Sequence, residues 1–561
     1  LRRPVWFAKV KANEEVKKPA FNQHPAAYVS AGDKELSIFM TTLPETTPRE
    51  AEQTSLRAGI IDIGSNSIRL VVYESDSGGS YRVLTESREA ARLSALVTPD
   101  GIMPSPAIYS VVPVLRQFIE ICEAYGATKV RAVATAAIRN ASNSSQIIEI
   151  LNRETGLNIE ALPGEMEGHY GFIGVVNKID IAEGFIVDIG GGSTEVTLFQ
   201  KRRRVSSFSF PFGAVNMNVR FGGSGSWSEE RVRELEDFVL AEARKHPWIS
   251  EHPGLDLVGL GGTIRGIGKM DQRRRNYSLP YTHNYVMQAG DVDHFYRSLP
   301  GMDNNGRKQV PGLSKSRTDI MVPGLIILRT LFLHMKAERY IVSGTGLREG
   351  LFFELLHPEQ AVHENVLEFE LRALLSKMPK QRQRHLRHTE HFARLLYEAL
   401  EEGGESKWNG KLLRVAAWTY QTGTEIGYID YEEHTQYLLT KRPLAGLTHR
   451  EIILTALIAG IAGKVKWRKS VTAQTYKDIL LPKDEERTRR LGAVLQMAAA
   501  LDASETQAVT ELSAKRSGDR FELELTCRTE AFMEIRDLKV AAKEFEKEWN
   551  VKIELRIKSA G

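Results

Sequence analysis

Apolar positions change period along the chain, and those changes mark the elements. From Arg57 to Glu74 two apolar runs flank a small-residue break, which predicts strand, turn, strand; Gly184–Gln200 repeats the pattern. Between them, Ala107–Ala124 carries apolar residues at helical spacing behind Pro106, Lys129–Ala134 reads as a short strand and Asn143–Glu154 as a helix. Further on, Glu229–Lys245 reads as a helix. Leu255–Leu260 and Arg339–Ser343 read as strands running into glycine-rich turns, the second followed by a helix from Arg348. Such alternation predicts an α/β region. After Pro358 the period is helical through Glu364–Asp502, with Phe392, Leu395, Leu396 and Leu400 on one stripe. The end returns to mixed structure: strand Arg520–Cys527, helix Phe532–Trp549, strand Val551–Ile557.

Composition narrows the class. At 561 residues, three or four domains are expected, and 42% hydrophobic with 26% charged residues is ordinary for a globular chain. No apolar run reaches the roughly 18 residues of a membrane span, so no membrane association is expected. The two cysteines, Cys122 and Cys527, exclude a disulfide framework and point to a reducing, cytoplasmic setting. A net charge of +4 is compatible with an anionic ligand without requiring one. Residues 1–39 follow neither period, and Met40 is expected to be the natural start.

The candidate chemistry lies in a long-range echo. Ile61-Asp62-Ile63-Gly64-Ser65-Asn66-Ser67 returns about one domain later as Val187-Asp188-Ile189-Gly190-Gly191-Gly192-Ser193-Thr194. A second strand follows each copy, so these are hairpins; a P-loop or a dinucleotide fingerprint would continue into a helix. Two such turns facing each other across a cleft suit a phosphate. Gly64, Gly190, Gly191 and Gly192 allow close backbone approach, Asn66 lies within the first turn, and Ser65, Ser67, Ser193 and Thr194 add hydroxyl donors. Asp62 and Asp188, with Glu195 as a third candidate, suit a hard divalent cation. Gly259–Thr263 and Ser343–Gly346 are further glycine turns behind strands.

Together, Asp62–Leu70, Ala134–Asn143, Glu165–Val175, Val187–Thr197, Gly259–Arg265 and Ser343–Gly350 closely resemble the exopolyphosphatase / guanosine pentaphosphate phosphohydrolase (Ppx/GppA) family, within the actin-like fold group. The resemblance implies two actin-like (ribonuclease H-like) lobes around a cleft, at 56–183 and 184–358. An all-α HD-like domain at 359–504 and a small α+β domain at 505–561 would follow, with 1–55 as a leader. It also implies hydrolysis of a terminal phosphoanhydride with Mg²⁺ or Mn²⁺, a monovalent cation also being compatible, and a homodimer. Glu167 takes the position of the family's catalytic glutamate, which orients and deprotonates water. Arg139 is the first arginine candidate for phosphoryl charge, with Arg69, Arg265 and Arg317 behind it. The chain departs from the family at Pro163, where a serine is usual, and at Met166-Glu167-Gly168. In the helical region Tyr420-Gln421 stands where an HD-type site would have its His-Asp pair, so no metal is expected there.

A long polyanion needs cations beyond the cleft. Lys380, Arg382 and Arg384, within a basic run from Lys377 to Arg387, and Lys464, Lys466 and Arg468 around Trp467 are the expected polyphosphate track. Arg202–Arg204 form a third cluster. The expected partner is therefore inorganic polyphosphate, or else guanosine pentaphosphate, and nucleic acid is disfavoured because no binding module is recognisable. A kinase or chaperone-like ATPase of the same fold group and a catalytically silent phosphate or alarmone sensor are the competing classes.

Overall fold

The computed structural model describes residues 56–559 except 77–78, 223–224, 402–405 and 463–464. The readings made of the leader 1–55 and of Lys464 lie outside the described residues.

The first sheet contains β1 (Leu56–Ile63), β2 (Ile68–Ser75), β3 (Tyr81–Glu89), β4 (Lys129–Ala134) and β5 (Ile159–Ala161), in the order β3-β2-β1-β4-β5. β1 and β2 form the first expected hairpin, in register from Leu56 opposite Ser75 to Ile63 opposite Ile68, while β4 runs parallel to β1. The second sheet repeats this start: β6 (Gly184–Ile189), β7 (Thr194–Gln200) and β8 (Arg203–Phe210) form an antiparallel meander. With β9 (Leu257–Leu260), β10 (Tyr285–Met287) and β11 (Tyr340–Val342) its order is β10-β11-β9-β6-β7-β8.

Both hairpin strands read as nearly unbroken apolar runs because both sheet faces are covered. On β1, Ile61 and Ile63 join one core cluster, with the helix Ser105–Ala124 above them, and Ala58 and Ile60 join another. The second cluster links the lobes. It holds Ile60 and Val133 from the first sheet and Ile186, Val258 and Ile341 from the second. Between them lie the helices Gly164–Val176 and Leu347–Leu356. These helices cross closely: a Cβ on Gly174 would stand 2.1 Å from the Gly346 carbonyl oxygen, and one on Gly350 2.0 Å from that of Tyr170. Only glycine allows that approach.

Beyond Leu356, the helices from Val366–Ser376 to Asp484–Ala500 form the helical half, and β12 (Val509–Ser517), β13 (Arg520–Cys527) and β14 (Lys552–Ser559) form a third sheet in that order. The helix Phe532–Trp549 covers this sheet, and a single apolar cluster runs from Leu371 and Ile453 to Phe521 and Phe545, so both parts share a core. Beside Tyr420, His385 is buried with one ring nitrogen on Asp502 and the other on the Tyr420 hydroxyl. No described helix is long and apolar enough to cross a membrane. Cys122 and Cys527 are buried free thiols.

Candidate active site

Each hairpin closes its turn in the same way. Gly64 N donates to Ser67 O at 3.2 Å, and Gly190 N donates to Ser193 O at 3.0 Å. The two turns face each other. A Cβ on Gly191 would lie 3.0 Å from Ser65 Cβ, and one on Gly192 3.5 Å from Ser65 Oγ. The echoed motif thus becomes two opposed backbone clamps, one from each sheet.

Between them lies a cavity of about 150 Å³, lined by Asp62, Gly64, Ser65, Asn66, Ser67, Glu167, Asp188, Gly190, Gly191 and Ser193. Gly192 is withdrawn into the contact between the turns. Thr194 does not line the cavity: it is fully buried at the start of β7 and its hydroxyl donates to Phe212 O at 2.7 Å. This corrects its expected part in the phosphate contact, since a committed hydroxyl behind the turn is not free to bind an anion.

Glu167 sits in the first turn of the helix Gly164–Val176, whose N-terminus favours negative charge. Pro163 costs nothing here, because the bond needed from that position is acceptance by its carbonyl, from Glu167 N at 3.0 Å. Arg139 does not face the cavity. Its Nη1 donates to Glu167 Oε2 at 2.7 Å and to Leu162 O at 2.9 Å, and its Nη2 lies 3.9 Å from Glu195 Oε1. Arg139 is therefore a neighbour of the proposed base, and the expectation that it neutralises phosphoryl oxygens directly does not fit its placement. Burial raises the Glu167 pKa, the Arg139 charge and hydrogen bond oppose that rise, and Asp188 and Asp62 add to it.

Glu195 is likewise set behind the cavity. It is 3% exposed, accepts from Ser209 Oγ at 2.7 Å, and is held well above the ordinary carboxylate range by burial and by Glu167 and Asp188. The expected three-carboxylate metal set is thereby reduced to two. Asp62 and Asp188 line the cavity from equivalent places on β1 and β6, and among the described residues neither carboxylate accepts a hydrogen bond. Burial raises Asp62, and burial followed by the facing Asp62 raises Asp188 to about 6. Two half-buried carboxylates that accept no hydrogen bond, set beside the glycine turns, fit a hard divalent cation that completes its shell with water and phosphate oxygens. Among the described residues, no group of three or more His, Cys, Asp or Glu could hold a metal.

The opposite walls are cationic. Arg69, Arg265, Arg317 and Arg348 line the cavity together with Gly261, Gly262 and Ser343–Gly346. Arg265 Nε donates to Gly261 O at 2.9 Å, and Arg348 pairs with Glu86 at 3.0 Å. Burial, then neighbouring arginines, lower both Arg69 and Arg317 to about 10. Arg317 lies against the backbone of Gly262, where a Cβ would meet Nη1 at 2.1 Å. Like charges gathered out of water call for an anion between them. The Ser343–Gly346 turn is braced by Glu349, whose Oε2 accepts from Gly346 N at 2.8 Å and whose Oε1 accepts from Tyr73 Oη at 3.1 Å, and by His283 Nδ1, which accepts from Gly344 N at 3.0 Å. Sequence reasoning missed Arg348 and Glu349 as site residues, although they follow directly on a glycine turn it had marked.

Among the described residues, none of the expected track lines the cavity. Lys380, Arg382 and Arg384 begin the helix Lys380–Glu398, where Arg382 meets Gln421 and Glu505 and Arg384 meets Gln381. Lys466 and Arg468 are exposed beside Trp467. The Arg202–Arg204 cluster is divided: Arg202 donates to the carbonyls of Val176 and His363, and Arg204 pairs with Glu165 at 3.0 Å.

A model of the Ppx/GppA phosphatase family matches residues 71–359, and a model of domain III of these phosphatases matches residues 380–548. Exopolyphosphatase 1 of Mycobacterium tuberculosis (strain H37Rv) is 25% identical over 308 residues, covering 54% of this chain and 89% of that protein. A crystal structure of an exopolyphosphatase from Cytophaga hutchinsonii aligns over 55% of this chain and all of its own, with a TM-score of 0.50 at 21% identity. The Aquifex aeolicus Ppx/GppA family member aligns over the same share of this chain and 100% of its own, with a TM-score of 0.49 at 27% identity. With the family model spanning more than half its length and the two actin-like sheets meeting at paired glycine turns, the chain belongs to the Ppx/GppA phosphatase family.

Proposed function

We propose that this protein is an exopolyphosphatase that removes orthophosphate from the ends of inorganic polyphosphate, with Glu167 as the base acting on water. One observation carries the reading: the two turns oppose each other across a cavity walled by hydroxyls, backbone amides and four arginines, with Glu167 at its edge. Those donors pair with phosphoryl oxygens. The curated relatives named exopolyphosphatase support the same choice.

The chain's residues divide the work. Amides and hydroxyls of Gly64–Ser67 and Gly190–Ser193 hold the terminal phosphoryl group, and Arg69, Arg265, Arg317 and Arg348 offset the charge of the chain behind it. Glu167 accepts the proton of the attacking water, and Arg139 holds that carboxylate in place and ionised. Asp62 and Asp188 would hold Mg²⁺ or Mn²⁺, which when bound supplies charge neutralisation at phosphate oxygens. Positioning and electrostatics then provide most of the catalysis, as in phosphoryl transfer generally.

Phosphate release from long polyphosphate, tripolyphosphate and guanosine pentaphosphate, measured side by side, tests the substrate. Polyphosphate is expected to be preferred; a strong preference for the nucleotide would move the assignment to 5′-phosphate removal from guanosine pentaphosphate. Glu167→Gln is expected to lower kcat by about 10²–10⁴-fold while tripolyphosphate binding, read by calorimetry, persists. A fully active variant removes Glu167 from the mechanism.

A further inference from the structure

Arg92 lies outside the cavity, yet three observations gather on it. Its backbone N donates to Asn66 O at 3.1 Å, and two residues on Ser94 N donates to Ser65 O at 3.1 Å, so this segment braces the first phosphate turn. Its side chain crosses to the second lobe, where Nη2 donates to Ser316 O at 3.4 Å and Nη1 stands 3.6 Å from Asp319 Oδ2. Those two residues flank Arg317, which reaches the cavity. Finally, Arg92 has φ 46°, a left-handed conformation that an arginine adopts only at a cost.

On its far side the loop is anchored from within. Arg307, fully buried, donates from Nη1 to Thr318 O at 3.4 Å and from Nε to Leu299 O at 3.2 Å. Arg317 itself is half-buried, and its Nε makes no hydrogen bond. The 314–320 loop is thus held on one side by its own lobe and on the other by Arg92 of the opposite lobe.

We propose that Arg92 is a positioning residue: a clasp across the cleft that ties the first phosphate turn to the loop presenting Arg317, so that both grip the polyanion together. It acts through Arg317 and touches no reacting atom. The kinetic consequence rests on the exopolyphosphatase reading; the structural one does not. Losing the clasp loosens the hold on the anion and leaves the Glu167 step unaltered, so KM rises while kcat and the pH profile stay put.

Arg92→Gly is the informative variant, because glycine accepts a positive φ and spares the fold. Steady-state kinetics on tripolyphosphate should show KM up about three- to fivefold, within the span of an exposed ion pair, and kcat within about twofold. Arg92→Asp should raise KM further. Asp tolerates the left-handed region, so the exchanged pair Arg92→Asp with Asp319→Arg should recover most of the loss, giving a coupling in the double-mutant cycle. Hydrogen exchange of the 314–320 amides, which needs no turnover, should quicken in Arg92→Gly and slow again in the exchanged pair. Unchanged exchange in Arg92→Gly overturns the clasp whatever the enzyme's substrate. Unchanged KM with quickened exchange overturns its part in anion binding. If the wild type releases no phosphate from any polyphosphate, the functional reading fails while the exchange result still decides the clasp.

Discussion

In the proposed mechanism, Arg139 and Glu167 are the pair on which the chemistry turns. Burial and the two aspartates push the glutamate's pKa up, and the guanidinium 2.7 Å away pulls it down. A base works only when ionised, so activity should fall as the pH drops through this raised pKa, giving an acidic limb above the ordinary glutamate range near 4.3. Arg139→Met removes the opposing charge. The limb should then move to higher pH by about one unit or more, with the largest loss of rate below neutrality and partial recovery in alkali, as a kcat–pH profile would show. A uniform loss at every pH would instead mean that Arg139 acts only by packing. Residue type alone could not assign this role: nothing near Thr135–Arg139 in the sequence indicates that the side chain turns toward Glu167 behind the cavity.

At the scale of elements, the crossing of the two inter-sheet helices is the tightest constraint. Gly174→Ala places a methyl 2.1 Å from a backbone carbonyl that no rotamer change can move. A loss of about 1–3 kcal/mol is expected in urea unfolding, with the cleft misaligned and kcat/KM reduced. Both hairpins were legible in the sequence because Asp-Ile-Gly sits between runs of β-branched residues, and the helix Phe532–Trp549 matched to the residue. Less legible were β3, β5 and β8. They are outer strands, and where one face is polar the apolar run that marks a covered strand is missing: β3 keeps an interrupted, half-exposed pattern. Depth behind the hairpins was hidden as well. Ser193 ends the turn and lines the cavity, whereas Thr194 and Glu195 open β7 and are taken up behind it, by Phe212 O and Ser209 Oγ, a step in depth that adjacent positions in a sequence do not show. Surface basic runs were readable as charge but not as a path, since spacing along a helix does not say which way the helix faces.

For the molecule as a whole, the helical half is bolted to the second lobe through the buried imidazole of His449. His449 Nε2 donates to the His283 carbonyl at 2.8 Å, and its Nδ1 lies 2.9 Å from the Tyr277 hydroxyl. Burial lowers both histidines to about 4; the charges of Lys178 and His449 also bear on His283. An unfolded imidazole takes its proton near 6.5, so between about 6.5 and 4 the unfolded chain binds more protons. Stability is therefore complete above that window and falls as the pH descends through it, by at most about 1.4 kcal/mol per pH unit for each ring. Thermal unfolding from pH 7.5 to 5 should show this drop, and His449→Gln should flatten it. The same His283 receives the Gly344 amide of the Ser343–Gly346 turn on Nδ1. One residue thus stands as a keystone, its carbonyl meeting the helical half and its ring meeting the turn on the cavity wall, so a substitution at His449 is expected to shift the environment of Gly344.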